Sequence, residues 1–364
     1  MIATQMPKIA SLFFLIFALQ AGASPAESER IKRSFELSVE IWKDKLTLAT
    51  DPAERQKLLA TRPDPSLSAT ELWRQIAPSL KEDWTIPYAA FFLDLTRNLT
   101  VVGADGNTGT AFTEERKRVL EVFTENHTAK PGIAPFSIAL AESGDPKSLP
   151  LLEKIMAENP DEPTKGIAAL GAAMMLKGLG DAPEVMKKRL TYLRQAIIMA
   201  SDQNIGEISV ADIVTDELYV IRYLAKGRIA PDLSGADVAG RVIRLSELRG
   251  KTVVLLFWDA KSPETDKFIG ITNQMAAKYA DKPVAIVGIT PEALDRIREL
   301  QGDGSIKWNN IIDPADKLAK EYRIAARPAV LVIGPAGKIE YTGLPGSFAE
   351  LTVDALLAGD APKQ

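Results

Sequence analysis

The chain has 364 residues, a formal net charge of −4, no cysteine and a single histidine, His127. A chain of this length is expected to form about two domains, and its ordinary apolar and charged fractions argue against general disorder. The absence of cysteine excludes disulfides, thiolate metal sites and cysteine nucleophiles, and one histidine argues against a histidine metal centre or a Ser-His-Asp triad. We therefore expect no metal and no cofactor, and the absence of a long basic run predicts no nucleic-acid partner.

Residues 1–23 have the pattern of a secretory signal peptide. Lys8 precedes an apolar run at 9–19, and small residues at 21–23 predict cleavage after Ala23. The alternative is an uncleaved anchor, but the run is short for a membrane span, which needs about 20 apolar residues. We expect the mature chain to be exported to the periplasm or outside the cell, without a membrane span.

The segment 24–226 is predicted to be an all-α domain. Apolar residues recur at helical spacing, as at Ile31, Phe35 and Val39. A glycine-rich stretch at 101–109 lacks the Lys-Ser/Thr ending of a phosphate loop and is predicted to be a connector.

Short helices alternate with Pro, Gly and Asp breaks between 113 and 201. This alternation resembles a degenerate array of helical hairpins of the HEAT or TPR type. The small residues Gly171, Ala172 and Ala173 predict close approach of neighbouring helices.

Strand and helix patterns alternate from Gly227 onward, which predicts βαβ units and a second domain at 227–364. Its centre is an unbroken apolar run at 253–258, typical of a strand buried on both faces. A short polar break follows, and Ser262 and Pro263 then suit the N-cap and first position of a helix.

The C-terminal segment resembles the thioredoxin-like/redoxin superfamily, in particular its TlpA-like and AhpC/TSA-related members. The segments that carry the resemblance are 227–233, the hairpin region 237–251, the strands 253–258 and 285–289, the short helix 313–322, the Arg-Pro segment 327–333 and the closing hairpin 337–343. The resemblance implies an α/β thioredoxin-like fold with a cis-proline at Pro328. It also implies an ancestry in thiol-disulfide or peroxide chemistry.

The reactive residues of that family are missing here. The family places a Cys-x-x-Cys pair at the corner after the central strand, where this chain has Ser262 and Thr265. A helix N-terminus lowers the pKa of a thiol but cannot bring a serine hydroxyl near neutrality, so disulfide exchange is excluded for this chain. We interpret Ser262 as an N-cap and Thr265 as a helix-terminus hydroxyl, and we predict no catalytic residue.

Three functional hypotheses follow from this pattern. The first is a binding or scaffolding role with a protein or peptide partner, using a candidate groove at Asp259, Lys261 and Arg327. The alternative is a member of the thioredoxin/redoxin oxidoreductase family whose activity is lost or independent of cysteine. The third is an enzyme of another kind, in which Ser262 and Thr265 act together with Asp259 and Lys261.

Overall fold

A computed structural model describes residues 23–49, 51–102, 106–180, 182–260 and 265–359. Apart from Ala23, the predicted signal peptide lies outside these residues, as do Lys261 and Ser262 of the predicted site. Within the described ranges, none of the helices combines the length and apolar character needed to cross a bilayer.

The N-terminal part of the chain is rich in helix. Its helices are α1 (Pro25–Leu48), α2 (Pro52–Ala60), α3 (Pro65–Ile76), α4 (Ile86–Thr96), α5 (Thr113–Asn126), α6 (Ala134–Glu142), α7 (Ser148–Glu158), α8 (Glu162–Lys177), α9 (Pro183–Ala200) and α10 (Val210–Tyr219). Short 3₁₀ turns at Ala77–Ser79 and Asp83–Thr85 join α3 to α4. Two small hairpins interrupt the helices, one formed by β1 (Thr100–Val102) and β2 (Thr108–Thr110), the other by β3 (Asn204–Ile205) and β4 (Ile208–Ser209).

The Asp-Pro breaks in the sequence are helix starts. The carboxylate of Asp51 accepts from the backbone N–H of Glu54 at 3.0 Å, and that of Asp64 accepts from the N–H of Ser66 at 2.9 Å. Proline follows each cap at the first helical position, where its missing N–H costs no hydrogen bond. Each break therefore ends one helix and fixes the start of the next.

The region 101–109, predicted to be a connector, contains most of a short exposed hairpin. Thr100 lies opposite Thr110, and Val101 lies opposite Gly109. The β-branched residues of β1 favour extended backbone, which allows a two-stranded ribbon even without a buried face.

Helix α8 lies at the centre of the helical core and packs against α6, α7 and α9. Most of its residues are buried. A Cβ at Gly171 would lie 2.9 Å from the backbone oxygen of Ser137 on α6, so this close approach requires glycine. The small residues singled out in the sequence are thus packing residues.

The C-terminal part contains a five-stranded sheet. Its elements are β5 (Ser234–Ala236), β6 (Val242–Arg244), β7 (Thr252–Phe257), α11 (Thr265–Lys278), β8 (Val284–Thr290), α12 (Leu294–Gly302), β9 (Asn309–Ile312), α13 (Lys317–Glu321), β10 (Ala329–Ile333), β11 (Ile339–Gly343) and α14 (Ser347–Leu357). A 3₁₀ turn at Leu245–Leu248 follows β6. The strand order is β11-β10-β7-β8-β9, with β8 parallel to β7 and β9, and β10 antiparallel to β7 and β11. The pair β5 and β6 forms a separate antiparallel ribbon.

Strand β7 is buried throughout and separates two apolar clusters. Val253, Leu255 and Phe257 belong to one cluster. Val254 and Leu256, with Trp258 just beyond the strand, belong to the other. This alternation follows the two-residue period of a strand and explains why the sequence shows a continuous apolar run.

One helical extension joins the helical part to the sheet. A π-helical turn, Val220–Leu224, continues α10. Ile221 is buried in the core of the helical part, whereas Leu224 is buried in a core cluster of the sheet. The Arg323 Nε also lies 2.7 Å from Asp216 Oδ1 across this junction.

Candidate functional site

The candidate site is the corner where the chain leaves β7. Trp258 is buried there, and its backbone N–H donates to the carbonyl of Ile289 at 3.1 Å. Its indole Nε1–H donates to Asn310 Oδ1 at 2.9 Å, and Asn310 is fully buried on the parallel strand β9. The apolar core and these two hydrogen bonds hold the start of the corner in one position.

Of the two positions that correspond to the family's cysteines, the structure describes Thr265. Its hydroxyl donates to the backbone oxygen of Asp259 at 2.6 Å, and the residue is 8% exposed. The hydroxyl therefore ties the first residue of α11 back to the strand end. Ser262, and with it the predicted N-cap, lies outside the described residues.

Glu292 is a corner residue that the sequence analysis did not identify. Its Oε1 accepts from the backbone N–H of Ala260 at 2.9 Å. Glu292 follows β8, which is parallel to β7, and the carboxyl ends of parallel strands meet at one edge of a sheet. That topological rule was the available signal, since the two residues are far apart in sequence.

A second loop approaches the same corner from β10. The peptide bond between Arg327 and Pro328 is cis. The next residue, Ala329, lies opposite Phe257 in the antiparallel pair β10 and β7. The register therefore places Pro328 at the end of β7 from which the corner emerges.

The Arg327 guanidinium is largely buried and partly satisfied. Its Nη2 donates to Asp316 Oδ1 at 2.6 Å, and the side chain is 16% exposed. Its Nε is buried without a hydrogen-bond partner among the described residues. Arg327 thus keeps one unsatisfied donor beside the cis bond.

Asp316 is positioned for this pair by the start of α13. It has a left-handed backbone with φ of 55°. The neighbouring Asp313 carboxylate accepts from the backbone N–H groups of Lys317 and Leu318, each at 2.9 Å, and so caps the helix. Neither aspartate was identified from sequence, because both act through a loop whose geometry appears only in the fold.

Tyr322 packs against Phe257, the last residue of the strand from which the corner emerges. Its ring centroid lies 5.5 Å from that of Phe257, and its hydroxyl donates to the backbone oxygen of Pro231. Burial raises the pKa of Tyr322 well above its ordinary value, so the phenol stays protonated and remains a donor.

His127, the one imidazole, takes no part in this corner. It is fully buried at the end of α5 in the helical part. Its Nε2 lies 2.7 Å from the backbone oxygen of Leu80. Within the described ranges, no three or more histidine, aspartate or glutamate side chains are grouped so as to hold a metal ion. The corner thus presents carboxylates, a guanidinium and backbone groups without an imidazole base.

Comparison with known proteins gives a family match in the C-terminal part of the chain. The AhpC/TSA family model matches residues 226–342. A thiol-disulfide oxidoreductase ResA from Bacillus anthracis is 27% identical over 114 residues, which are 31% of this chain and 66% of that relative. The match therefore spans just under two thirds of the Bacillus relative. A ResA from Geobacillus thermodenitrificans is 24% identical over 155 residues, which are 42% of this chain and 87% of the relative.

Solved structures align with the same part of the chain. A putative thiol:disulfide interchange protein DsbE from Chlorobium tepidum has 24% identity and a TM-score of 0.34, covering 36% of this chain and 97% of that one. The thioredoxin domain of a thiol-disulfide oxidoreductase from Bacteroides vulgatus has 26% identity and a TM-score of 0.33, covering 36% and 98%. From the family match and the ResA relatives, we conclude that the C-terminal part of the chain is a thioredoxin-like domain of the AhpC/TSA-related group and that it contains no cysteine.

Proposed function

We propose that this chain is an exported binding or scaffolding protein. In this proposal its thioredoxin-like domain retains the corner that follows β7 but no longer carries out redox chemistry. The proposal divides the chain into a signal peptide at 1–23, a helical domain at 24–226 and a thioredoxin-like domain at 227–364. The observation that carries it is the state of two polar groups: the Thr265 hydroxyl already makes a hydrogen bond, whereas the buried Arg327 Nε has no hydrogen-bond partner among the described residues. The first is a hydroxyl engaged within the fold, and the second is a buried donor that a partner can reach only when neighbouring side chains move aside.

The proposed partner at the corner is an extended peptide segment of another protein. A buried N–H without a partner costs about 1–3 kcal/mol, so an acceptor that reaches Arg327 Nε recovers that energy. Asp259 is half-buried at the end of β7, and we propose that it forms the rim of this groove together with Lys261. The resemblance to redoxins supports this choice, because their cis-proline loop presents backbone to extended peptides.

The helical domain is proposed to act as a degenerate helical-hairpin array of the HEAT or TPR type. Contacts between helices two apart in sequence support it, since α6 packs on α8 and α4 packs on α6. In an array of hairpins, equivalent helices of successive repeats stack in this way. Such an array offers a second, extended surface for a partner.

Site-directed photocrosslinking in the producing cell tests the corner. Benzoylphenylalanine at Ala326, which is exposed and adjoins Arg327, is expected to give discrete adducts with another protein. The matched control places the same group at Ala358, exposed beyond α14. Adding Arg327→Ala should remove the adducts at 326. Equal labelling at both positions would count against a binding corner.

The competing proposal is a member of the oxidoreductase family with residual or cysteine-independent activity, as the names of the ResA relatives suggest. Disulfide reduction and peroxide consumption by the purified chain should equal the rate without protein. Sustained turnover of either substrate would overturn the binding proposal. Loss of that turnover in Ser262→Ala or Thr265→Val would favour another kind of enzyme, with Asp259 and Lys261 assisting.

Export is tested by the mature N-terminus. Mass spectrometry of the protein from its producing cell is expected to find Ser24 as the first residue. An intact Met1 would contradict cleavage after Ala23.

A further inference from the structure

A groove between α9 and the segment that follows α10 carries unbalanced positive charge. We call it the junction groove; its volume is about 670 Å³. Lys187 and Arg194 line it from α9, and Lys226 and Arg228 line it from the opposite wall. No aspartate or glutamate lies among its described lining residues.

None of these four side chains makes a hydrogen bond or ion pair with the residues that the structure describes. Other cations on α9 behave differently. Lys188 Nζ lies 2.6 Å from Glu153 Oε1, and Arg189 pairs with Glu217. The chain thus neutralises one side of α9 internally and leaves the groove side with positive charge available to a partner.

The walls of the junction groove are fixed by contacts made elsewhere. Gly227 N–H donates to Ile339 O at 2.7 Å, and Ile339 N–H donates to Arg228 O at 2.8 Å, so the connecting segment is bound to β11. On the other wall, α9 packs along α8 and α10. Because the walls are already ordered, less conformational entropy is lost when a ligand binds.

The groove also offers apolar surface between its cations. Met186 and Leu190, both half-buried, line it from α9, and Ile221 lines its base. Lys187 and Arg194 are seven residues apart on one helix, a separation of about 10 Å, which an extended peptide spans with about three residues. A single small anion cannot reach cations at that spacing together.

We propose that the junction groove binds an acidic, extended peptide segment that also carries apolar side chains. Carboxylates of the peptide meet the cations on both walls, and its apolar side chains cover Met186 and Leu190. A concave groove with cations on facing walls fits a chain better than it fits a planar anionic bilayer. This proposal concerns a different surface from the cis-proline corner and does not depend on what that corner binds.

The test uses a fluorescein-labelled peptide of alternating glutamate and leucine, with fluorescence anisotropy on the full chain. Two charge reversals, Lys187→Glu with Arg194→Glu and Lys226→Glu with Arg228→Glu, are each expected to weaken binding at least about tenfold. The control, Lys43→Glu with Lys57→Glu, makes the same change of net charge on exposed positions of α1 and α2. It is expected to change the affinity less than about twofold, because distant charges are screened.

Further probes separate the outcomes. A peptide in which glutamine replaces every glutamate should bind weakly, and phosphatidylglycerol vesicles should bind no better to the wild-type chain than to the reversed variants. The proposal is overturned if the acidic peptide shows no saturable binding, if the control pair weakens it equally, or if the vesicles bind through the same four cations. Where a reversed variant loses its circular dichroism spectrum, Lys187→Gln with Arg194→Gln replaces it. Photocrosslinking at 326 reports on the corner separately, so the two proposals fail independently.

Discussion

At the scale of single residues, the polar groups of the corner hold backbone in place. The Thr265 hydroxyl binds the carbonyl of Asp259, and the Glu292 carboxylate binds the N–H of Ala260. One bond joins the segment after β7 to the start of α11, and the other joins it to the segment after β8. These polar side chains therefore fix the backbone of the corner.

We predict that Thr265→Val lowers the free energy of unfolding by about 1 kcal/mol, because valine has the same shape but cannot donate to Asp259 O. Thr272→Val on the same helix is the matched control. Its hydroxyl donates at 2.9 Å to Phe268 O, which the helix backbone already satisfies, so the loss there should be smaller. Urea denaturation measures the free energy of unfolding of both variants. Equal losses would mean that the hydrogen bond from Thr265 to Asp259 O contributes no more to stability than a side-chain hydrogen bond within a helix.

Gly288 on β8 is predicted to tolerate no side chain. It lies opposite Asn310, and a Cβ would fall 1.9 Å from Asn310 Oδ1. Gly288→Ala should therefore cost about 2–3 kcal/mol through overpacking. Gly270→Ala in α11 is the control, since nothing lies within 4 Å of its Cβ position, and it should stabilise the chain by about 0.5–1 kcal/mol. Thermal denaturation measures both, and a neutral Gly288→Ala would refute the packing argument.

At the scale of elements, the central strand of the sheet was predictable because burial on both faces leaves an unbroken apolar run, as at 253–258. Asn310 was not predictable, because it meets Trp258 through the order of strands in the sheet. For Glu292 the available signal was the rule that the carboxyl ends of parallel strands meet at one edge. Asp316 acts through a loop whose geometry appears only in the fold. The hairpin at Thr100 was missed because its few exposed residues bear no periodic pattern.

The last turn of α4 should give the protein a measurable pH dependence. Displacement of water by neighbouring groups, and then the charge of Glu142, raise the pKa of Asp94 to about 6. The folded state therefore binds a proton more strongly than the unfolded state, and stability falls as the pH rises from about 4 through 6. A negative charge near a helix C-terminus is unfavourable in the same direction.

Asp94→Asn should remove this effect, because the Asp94 carboxylate has no hydrogen bond within the described residues that asparagine would break. The expected result is a gain in Tm over the wild type that is small at pH 4 and largest above pH 6.5. Asp44→Asn, on the exposed face of α1, controls for loss of the same charge. A Tm gain that is constant with pH would contradict the raised pKa.

At the scale of the whole molecule, the helical part and the thioredoxin-like part are joined by direct side-chain contacts. The Arg323 guanidinium lies 4.3 Å from the centroid of the Tyr219 ring, in addition to its pair with Asp216. Tyr219 itself packs against a core cluster of the sheet. We expect these contacts to couple the unfolding of one part to that of the other.

We predict that Arg323→Ala lowers the free energy of unfolding by about 1–2 kcal/mol, since it removes both a cation–π contact and an ion pair. Arg296→Ala, which breaks a local pair with Glu299 in α12, should cost less. Tryptophan fluorescence and far-UV circular dichroism during urea denaturation report on both parts. The same loss in the two variants would show that the junction contacts carry no coupling.

The π-helical turn at Val220–Leu224 has a mechanical consequence. Ile221 and Leu224 lie three residues apart, yet each is buried in a different core. Rotating one part against the other would draw one of these side chains into water, at a cost of about 1.5–3 kcal/mol. The turn therefore favours one spacing of the two parts. Any ligand that brings them closer together must supply that free energy from its own binding.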